Sequence, residues 1–322
     1  MELRSRVLNA IRAFFLARGF TEVETPVWLP TPALELNIDA ESAGAGFLRT
    51  SPELHMKRLL AAGFDRIFQM GPCFRKGERG ALHHPEYTML EWYRAKADYL
   101  DILRDTEELI ASLAPLSLST PDPRPLTPDP SPSTAPSSPF TVHHSLFTVH
   151  CSPFTVHCSP FTDFLRVSVR DAFLMHAGWD PVADYDGERF ERDLVDKVEP
   201  ALPRDRPVIL IDYPAAAAAL SRRKPGHETV AERWELYIDG VEIANAFSEL
   251  TDAVEQRARF EGWAAERRAA GRTVYPLDED FLAALKAGMP PAGGIALGVD
   301  RLVMVLAGKR SLDDVIAFRE EI

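Results

Sequence analysis

Three glutamates, Glu235, Glu242 and Glu249, recur at seven-residue intervals in WELYIDGVEIANAFSEL, and Asp239-Gly240 stands between the first two. Asp-Gly between alternating segments signals a two-residue hairpin. In the register that turn implies, Ile238 faces Val241, Tyr237 faces Glu242 and Glu235 faces Ala244. Alternation then puts Glu235, Tyr237 and Glu242 on one face, the two acids being diagonal neighbours roughly 5–8 Å apart. Carboxylates that close repel each other unless water or a cation lies between them. A Mg²⁺ ion carrying phosphate oxygens would relieve that repulsion, because it takes one or two protein carboxylates and completes its shell with phosphate and water. A solvent-facing sheet surface whose acids bind nothing is the competing reading of the hairpin alone. Glu249 falls out of alternation with Glu242, so a bend or bulge near residues 245–248 must set its direction.

Arginines supply the complementary charge. FRKGERGALHHPEYTMLEWY places Arg75 at the end of one strand, a polar loop after it, and Tyr87, Glu91 and Tyr93 on the return strand. A guanidinium there has the planar fork geometry that clamps phosphate. GVDR puts Arg301 one residue into a helix that follows a glycine-rich strand. Alone, each arginine is more often a surface residue or the partner of an acid.

The elements that must position these groups are legible in outline. Val7, Leu8, Ile11, Phe14 and Phe15 follow helical spacing, closed by Gly19. FTEVETPVWL reads as a strand with Pro26 at an edge or interface. SPELHMKRLLAAGF reads as a helix ending at Gly63, and RIFQMGPCFRK and EYTMLEWYRA as two strands. Residues 163–203 read as a mixed helical stretch, followed by a strand PVILIDYP, the hairpin, and helices at 252–270 and 278–288. GGIALGVDRLVMVLAG reads as a strand running into an apolar helix.

Residues 115–162 stand apart, with 11 of the 26 prolines and only three charged residues, Asp122, Arg124 and Asp129. They contain a seven-residue repeat, SPFTVHH, SLFTVHC and SPFTVHC, and read as a poorly ordered insertion separating core segments 1–114 and 163–322. His150-Cys151 and His157-Cys158 suggest zinc, although a repeat copies its residues whether or not they bind anything.

The whole chain sets the remaining bounds. Its 322 residues are 46% apolar and 26% charged, enough for a large core, and the net charge of −12 argues against an extensive nucleic-acid surface. Three cysteines are too few and too uneven for a disulfide scaffold. No signal peptide and no apolar run near the roughly 18 residues of a spanning helix is present, so a cytoplasmic protein without membrane attachment is expected.

Together the motifs are far more specific. GFTEVETPVWLP resembles motif 1 of the class II aminoacyl-tRNA synthetases, FRKGERGALHHPEYTMLEWY resembles motif 2, and GGIALGVDRLVMVLAG resembles motif 3, in the expected order. SPELHMKRLL, PEYTMLEWY and VEIANAFSELTD are similar to the lysyl branch. Outside 115–162 the resemblance covers almost the whole chain. The motif 1 helix begins within the first ten residues and leaves no room for the anticodon-binding barrel of a lysyl-tRNA synthetase. Truncated relatives of this kind resemble the family of elongation factor P–(R)-β-lysine ligases, and LDDVIAF near the C-terminus looks like that family too.

The resemblance implies an α+β fold, an antiparallel sheet flanked by helices, and a homodimer formed around motif 1. It implies ATP and Mg²⁺ as cofactors, lysine or β-lysine as substrate, and translation elongation factor P rather than tRNA as acceptor. Arg75 would hold the α-phosphate and Arg301 the γ-phosphate end, making these two the catalytic pair. Lys76, Gly77, Glu78, His83, His84, Tyr87, Ile243 and Gly298 would complete the ATP site, with Tyr87 stacked on adenine. Glu235 and Glu242 become the Mg²⁺ pair. Ser51, Pro52, Glu53, Tyr93, Asn245, Glu249 and Ala296 would line the amino-acid pocket, Glu249 facing the substrate rather than the metal. Ala296 stands where glycine is expected in the tRNA-charging enzymes, and its methyl group could favour the shifted amine of β-lysine. Two departures qualify the ATP site: Arg-x-Glu reads Arg75-Lys76-Gly77, its Glu displaced to Glu78, and His84 replaces an expected Asn. Lysyl transfer to tRNA or another carrier, and a catalytically silent regulatory paralogue, are the alternatives.

Overall fold

The computed structural model describes residues 1–117, 161–218 and 220–318. In the first part, helix α1 (Glu2–Ala17) buries Leu3, Val7, Ile11, Phe14 and Phe15 along one stripe. Gly19 follows at φ +74°, a left-handed position that turns the chain out of the helix without a Cβ clash. Short strands β1 (Thr21–Glu22), β2 (Trp28–Leu29), β3 (Ser42–Ala43) and β4 (Gly46–Leu48) precede helix α2 (Glu53–Ala61). Strands β5 (Arg66–Phe74) and β6 (Glu86–Ala95) and helix α3 (Tyr99–Leu113) complete this part. The second part runs through β7 (Leu165–Ser168), α4 (Val169–His176), α5 (Gly187–Asp193), β8 (Val208–Pro214), β9 (Arg223–Lys224), β10 (His227–Ile238) and β11 (Val241–Ser248). Helices α6 (Ala253–Ala269) and α7 (Glu279–Gly288), strand β12 (Ala292–Gly298) and helix α8 (Val299–Leu306) end it.

The main sheet runs β1-β5-β6-β12-β11-β10-β8-β7, with β9 paired to β10. Its centre is antiparallel, while β1 with β5 and β7 with β8 form parallel pairs at the two edges. Because strand side chains alternate, the apolar residues Leu90, Trp92, Trp234, Leu236, Ala246 and Leu297 share one face, where they pack in a core with residues of α1, α3 and α8. Phe15 stacks on Phe68 and tilts against Trp92 at centroid distances of 4.9 and 5.0 Å. Helix α8 is buried over nearly its whole length. With its helical side sealed by hydrophobic contacts, the sheet can present its other face to polar chemistry.

Three expectations need correction. FTEVETPVWL is not one strand: Pro26 lacks an N–H and interrupts pairing, so β1 joins the main sheet while β2 joins β3 and β4 in a separate small sheet. Residues 165–168 form a strand rather than part of a helical stretch. In the hairpin, Ile238 faces Val241 and Tyr237 faces Glu242, but a bulge then shifts the register, so Glu235 faces Asn245 instead of Ala244. The repeats, with His150-Cys151 and His157-Cys158, lie outside the described residues.

Candidate active site

Strand β6 shows how the sheet builds a site. Met89, Glu91 and Tyr93 occupy alternate positions, and all three line one cavity of about 500 Å³ on the face opposite the helical core. The bulge in β11 gives that face its unusual composition. It places the extra residue, Ile243, between Glu242 and Ala244 in the pairing with β10, so Glu242 and Asn245 reach the same cavity although three residues apart. Beyond the bulge, alternation runs Asn245, Phe247, Glu249. The bulge therefore sets the direction of Glu249, from a position two residues before the 245–248 stretch where it was expected.

Both arginines line this cavity. Arg75 has its guanidinium 5.3 Å over the Tyr87 ring and 3.7 Å from Glu78 Oε1, and its buried Nε has no hydrogen-bond partner. Burial would lower the pKa of Arg75, but Tyr87, Glu35 and Glu78 raise it on balance, so its charge is secure. Arg301 is held on three sides. Its Nη1 donates to Glu242 O at 3.0 Å and Oε2 at 3.1 Å, Nε donates to Leu82 O at 3.1 Å, and Nη2 donates to His83 Nε2 at 2.8 Å. Burial and the neighbouring Arg301 charge lower the pKa of His83, which keeps its imidazole neutral and able to accept that bond.

Glu235 is buried and heavily engaged. Tyr213 and Tyr237 donate to its Oε2 at 2.6 and 2.8 Å, and Arg233 Nη2 donates to Oε1 at 2.6 Å. Glu242 lies close enough that desolvation in the cleft, followed by the Glu235 charge, raises its pKa. Glu235 Oε1 and the Glu242 carboxylate keep lone pairs beyond these bonds. The pair therefore fits a divalent ion that draws its remaining ligands from phosphate, as Mg²⁺ does. Among the described residues no cluster of three or more His, Cys, Asp or Glu side chains forms an all-protein cation cage.

The other end of the cavity is a nest of acids. Glu91 is buried and accepts from Ser51 Oγ at 2.6 Å and Tyr93 OH at 2.8 Å. Lys57, with a fully buried side chain, lies 2.5 Å from both Glu53 Oε1 and Glu249 Oε2. Glu249 Oε1 has no hydrogen-bond partner. Burial pushes Glu91 up to about 8, helped by the charge of Glu53. Burial also pushes Glu249 up to about 8 against the pull of Lys57. Gly294 makes room: a Cβ there would lie 2.1 Å from Glu249 Oε1 and 2.3 Å from the Tyr93 ring.

Of the residues singled out in the sequence, Ser51, Glu53, Arg75, Glu78, His83, His84, Tyr87, Tyr93, Glu235, Glu242, Ile243, Asn245, Ala296, Gly298 and Arg301 line the cavity. Four do not. Pro52 caps the start of α2, Lys76 donates its backbone N–H to Asp39 O, and Gly77 turns the loop at φ +76°. Glu249 lies just behind the wall, 1% exposed and paired with Lys57. Tyr87 donates its hydroxyl to Thr50 O at 2.8 Å, so its ring is fixed at the cavity wall beneath Arg75. Sequence reasoning missed Lys57, Arg233 and Glu35, all charged groups in the site. The clue for Arg233 was an arginine two residues before Glu235 on the same strand, where alternation puts both side chains on one face. Its Nε donates to Asn245 Oδ1 at 3.1 Å and its Nη1 to Ala217 O at 2.7 Å, tying Glu235 to the neighbouring strand and to the loop after β8.

Comparison with known proteins agrees with this architecture. A family model described as "tRNA synthetases class II (D, K and N)" matches residues 1–321. The elongation factor P–(R)-β-lysine ligases of Proteus mirabilis and Photorhabdus laumondii are each 37% identical over 98% of this chain and 93% of theirs. A lysine–tRNA ligase of Moorella thermoacetica is 37% identical over 98% of this chain and 64% of its own. The chain belongs to the class II aminoacyl-tRNA synthetase family, within the group that contains the aspartyl, lysyl and asparaginyl enzymes.

Proposed function

We propose that this chain activates (R)-β-lysine or lysine with ATP and transfers it to a lysine side chain of translation elongation factor P. One observation carries the reading: a single cavity has phosphate-seeking arginines at one end and a buried cluster of carboxylates at the other. Glu53, Glu91 and Glu249 against Lys57 amount to two negative charges when all are ionised, which complements the two ammonium groups of a diamino acid. The acceptor is the one named for the relatives from Proteus mirabilis and Photorhabdus laumondii, each 37% identical to this chain.

In the first step the substrate carboxylate attacks the α-phosphorus of ATP and pyrophosphate leaves. Arg75 would meet the α-phosphate with its unpartnered Nε and the fork beyond it, while Arg301 would turn from its Glu242 and His83 contacts toward the γ end. Tyr87 and the Gly298 backbone would bound the adenine. Glu235 and Glu242 would hold Mg²⁺, which would neutralise triphosphate charge. Because the donors are fixed before the reaction, positioning and electrostatics would supply most of the acceleration. Ala296, between Asn245 and Glu91 on adjacent strands, would press its methyl on the substrate's α-carbon end and favour the β-amine. A homodimer around motif 1, a cytoplasmic setting and independence from tRNA belong to the same proposal.

The test is mass spectrometry of elongation factor P after incubation with the protein, ATP, Mg²⁺ and each lysine isomer. The expected result is one added lysyl mass, larger in yield with (R)-β-lysine. Labelled lysine moving to tRNA, or ATP binding without pyrophosphate exchange, would overturn it.

A further inference from the structure

We infer that Glu35 is the base that deprotonates the acceptor amine in the transfer step, an assignment resting on the function proposed above. Glu35 lies in the loop between β2 and β3 and lines the cavity beside Arg75. The loop is held from the C-terminal end of α6. Fully buried Arg267 donates through Nη1 to the carbonyls of Glu35, Leu36 and Ile38 at 2.8, 3.0 and 3.0 Å and pairs with Asp39. Arg272 adds bonds to Leu36 O and Asn37 O, both 2.9 Å. A cavity-lining acid whose own carbonyl is pinned by a buried arginine is placed, not incidental.

Its neighbours locate it. Arg75, Glu53 and Glu78 act on it electrostatically and the Thr50 hydroxyl is at hand. Arg75 marks the α-phosphate and Glu53 the amino-acid end, so Glu35 stands near the junction where the acyl–phosphate bond of an adenylate would lie. Most other acids and imidazoles of the cavity have partners or lie elsewhere. Glu53 pairs with Lys57, Glu91 with Ser51 and Tyr93, Glu235 with Arg233, Glu78 with Arg75 and Asp300 with Arg4. His84 bonds Glu86 O, Glu242 and His83 stand at the Arg301 end, and Glu191 is exposed on α5. Among the described residues Glu35 makes no ion pair. Burial lifts its pKa to about 7, with Arg75 opposing and Glu53 and Glu78 adding to the rise, so it changes charge near neutral pH.

The step balances. The acceptor ammonium gives one proton to the Glu35 carboxylate, and the freed nitrogen pair attacks the adenylate carbonyl. A C–N bond forms, the C–O bond to phosphate breaks, and AMP departs with that electron pair. The second N–H proton leaves with the departing phosphate. Transfer should therefore rise between about pH 6 and 8 as Glu35 ionises.

The experiment compares Glu35→Gln and Glu35→Asp with the unmodified protein in lysine-dependent pyrophosphate exchange, and in consumption of the adenylate by elongation factor P, n-butylamine or hydroxylamine. Removing a general base costs about 10²–10⁴-fold. For Glu35→Gln, the ratio of transfer to exchange should fall at least about 100-fold with elongation factor P and with n-butylamine, and the rise with pH should vanish. Hydroxylamine, unprotonated at neutral pH, should consume the adenylate at a rate within a few-fold of the unmodified protein, and Glu35→Asp should recover part of the loss. An equal fall in exchange and transfer, or unchanged butylamine transfer, would overturn the assignment alone. Absence of exchange in the unmodified protein would overturn the proposed function and this step with it.

Discussion

At the residue scale, the cluster around Lys57 decides how the site behaves with pH. Burial by itself would lower the pKa of Lys57, but Glu249 and Glu53 more than reverse this, so the ammonium stays charged in an apolar surrounding. Glu91 and Glu249, both pushed up to about 8, keep protons that the unfolded chain would already have released. An acid with a raised folded pKa contributes stability that is full below its unfolded value and is lost as pH climbs to the folded one. The substrate-free protein should therefore lose stability from about pH 5 to pH 8. A diammonium ligand favours the ionised carboxylates and releases those protons, so its affinity should rise across the same window. Calorimetric titration of lysine in two buffers of different ionisation enthalpy at pH 7 should show proton release, and the lysine-induced melting shift should be larger at pH 8 than at pH 6. A buffer-independent heat would refute the charge accounting. Little of this was readable in advance: Lys57 sits in an amphipathic helix where a lysine ordinarily points to water, and only tertiary packing puts it between two acids. The face of Glu91 was legible from its alternation with Tyr87 and Tyr93, its partners were not.

At the element scale, the strands carry the logic, and the sequence displayed it unevenly. The Asp239-Gly240 turn was explicit, because both residues take positive φ, +54° and +73°, and few pairs tolerate that. The first two cross-strand pairs followed from the turn. The bulge was legible as a break in alternation between Glu242 and Glu249, but its place at Ile243 was not, since an extra residue leaves local composition unchanged. Pro26 was noticed, yet its full effect, splitting one apolar run between two sheets, depends on a second sheet that the run itself does not announce. Motif 3 carries a more testable consequence. In β12, Gly294, Ala296 and Gly298 alternate on the cavity side of the sheet, two without a Cβ and one with a single methyl, which leaves room for the proposed substrate. Gly294→Ala would drive its methyl into Glu249 Oε1 and the Tyr93 ring, both closer than 2.5 Å to the new carbon. Overpacking of this kind costs about 1–3 kcal/mol. Here it should displace the substrate acid rather than unfold the sheet: KM for lysine in pyrophosphate exchange should rise at least about tenfold, with KM for ATP within about twofold. Equal changes in both constants would show that Gly294 supports the whole sheet and not the amino-acid pocket.

At the scale of the molecule, the three motifs are joined by a buried carboxylate next to the motif 3 arginine. Asp300 pairs through Oδ1 with Arg4 of the first helix and accepts the backbone N–H of Thr88 on β6 at 2.7 Å through Oδ2. Arg4 also donates to the Thr88 hydroxyl at 2.7 Å. One side chain thus links α1, β6 and α8, elements separated by up to 296 positions in sequence. With side-chain exposures of 17% and 6%, Arg4 and Asp300 are shielded enough for the link to matter, unlike a surface pair worth about 0–1 kcal/mol. Removing the charge while keeping the shape, as in Asp300→Asn, leaves Arg4 buried against a neutral amide and opposes an N–H donor to Thr88 N–H if the amide turns. The expected loss is about 3–5 kcal/mol, the range for breaking a buried pair from one side. Urea unfolding should show a lower midpoint with an unchanged slope, the signature of lost stability rather than altered compactness. A cycle with Arg4→Met should give a coupling above about 0.5 kcal/mol, because the two residues share one network. If the two losses simply add, the first helix is attached to the catalytic strands by its apolar stripe alone, and the Asp300 contacts serve only to orient the start of α8 beside Arg301.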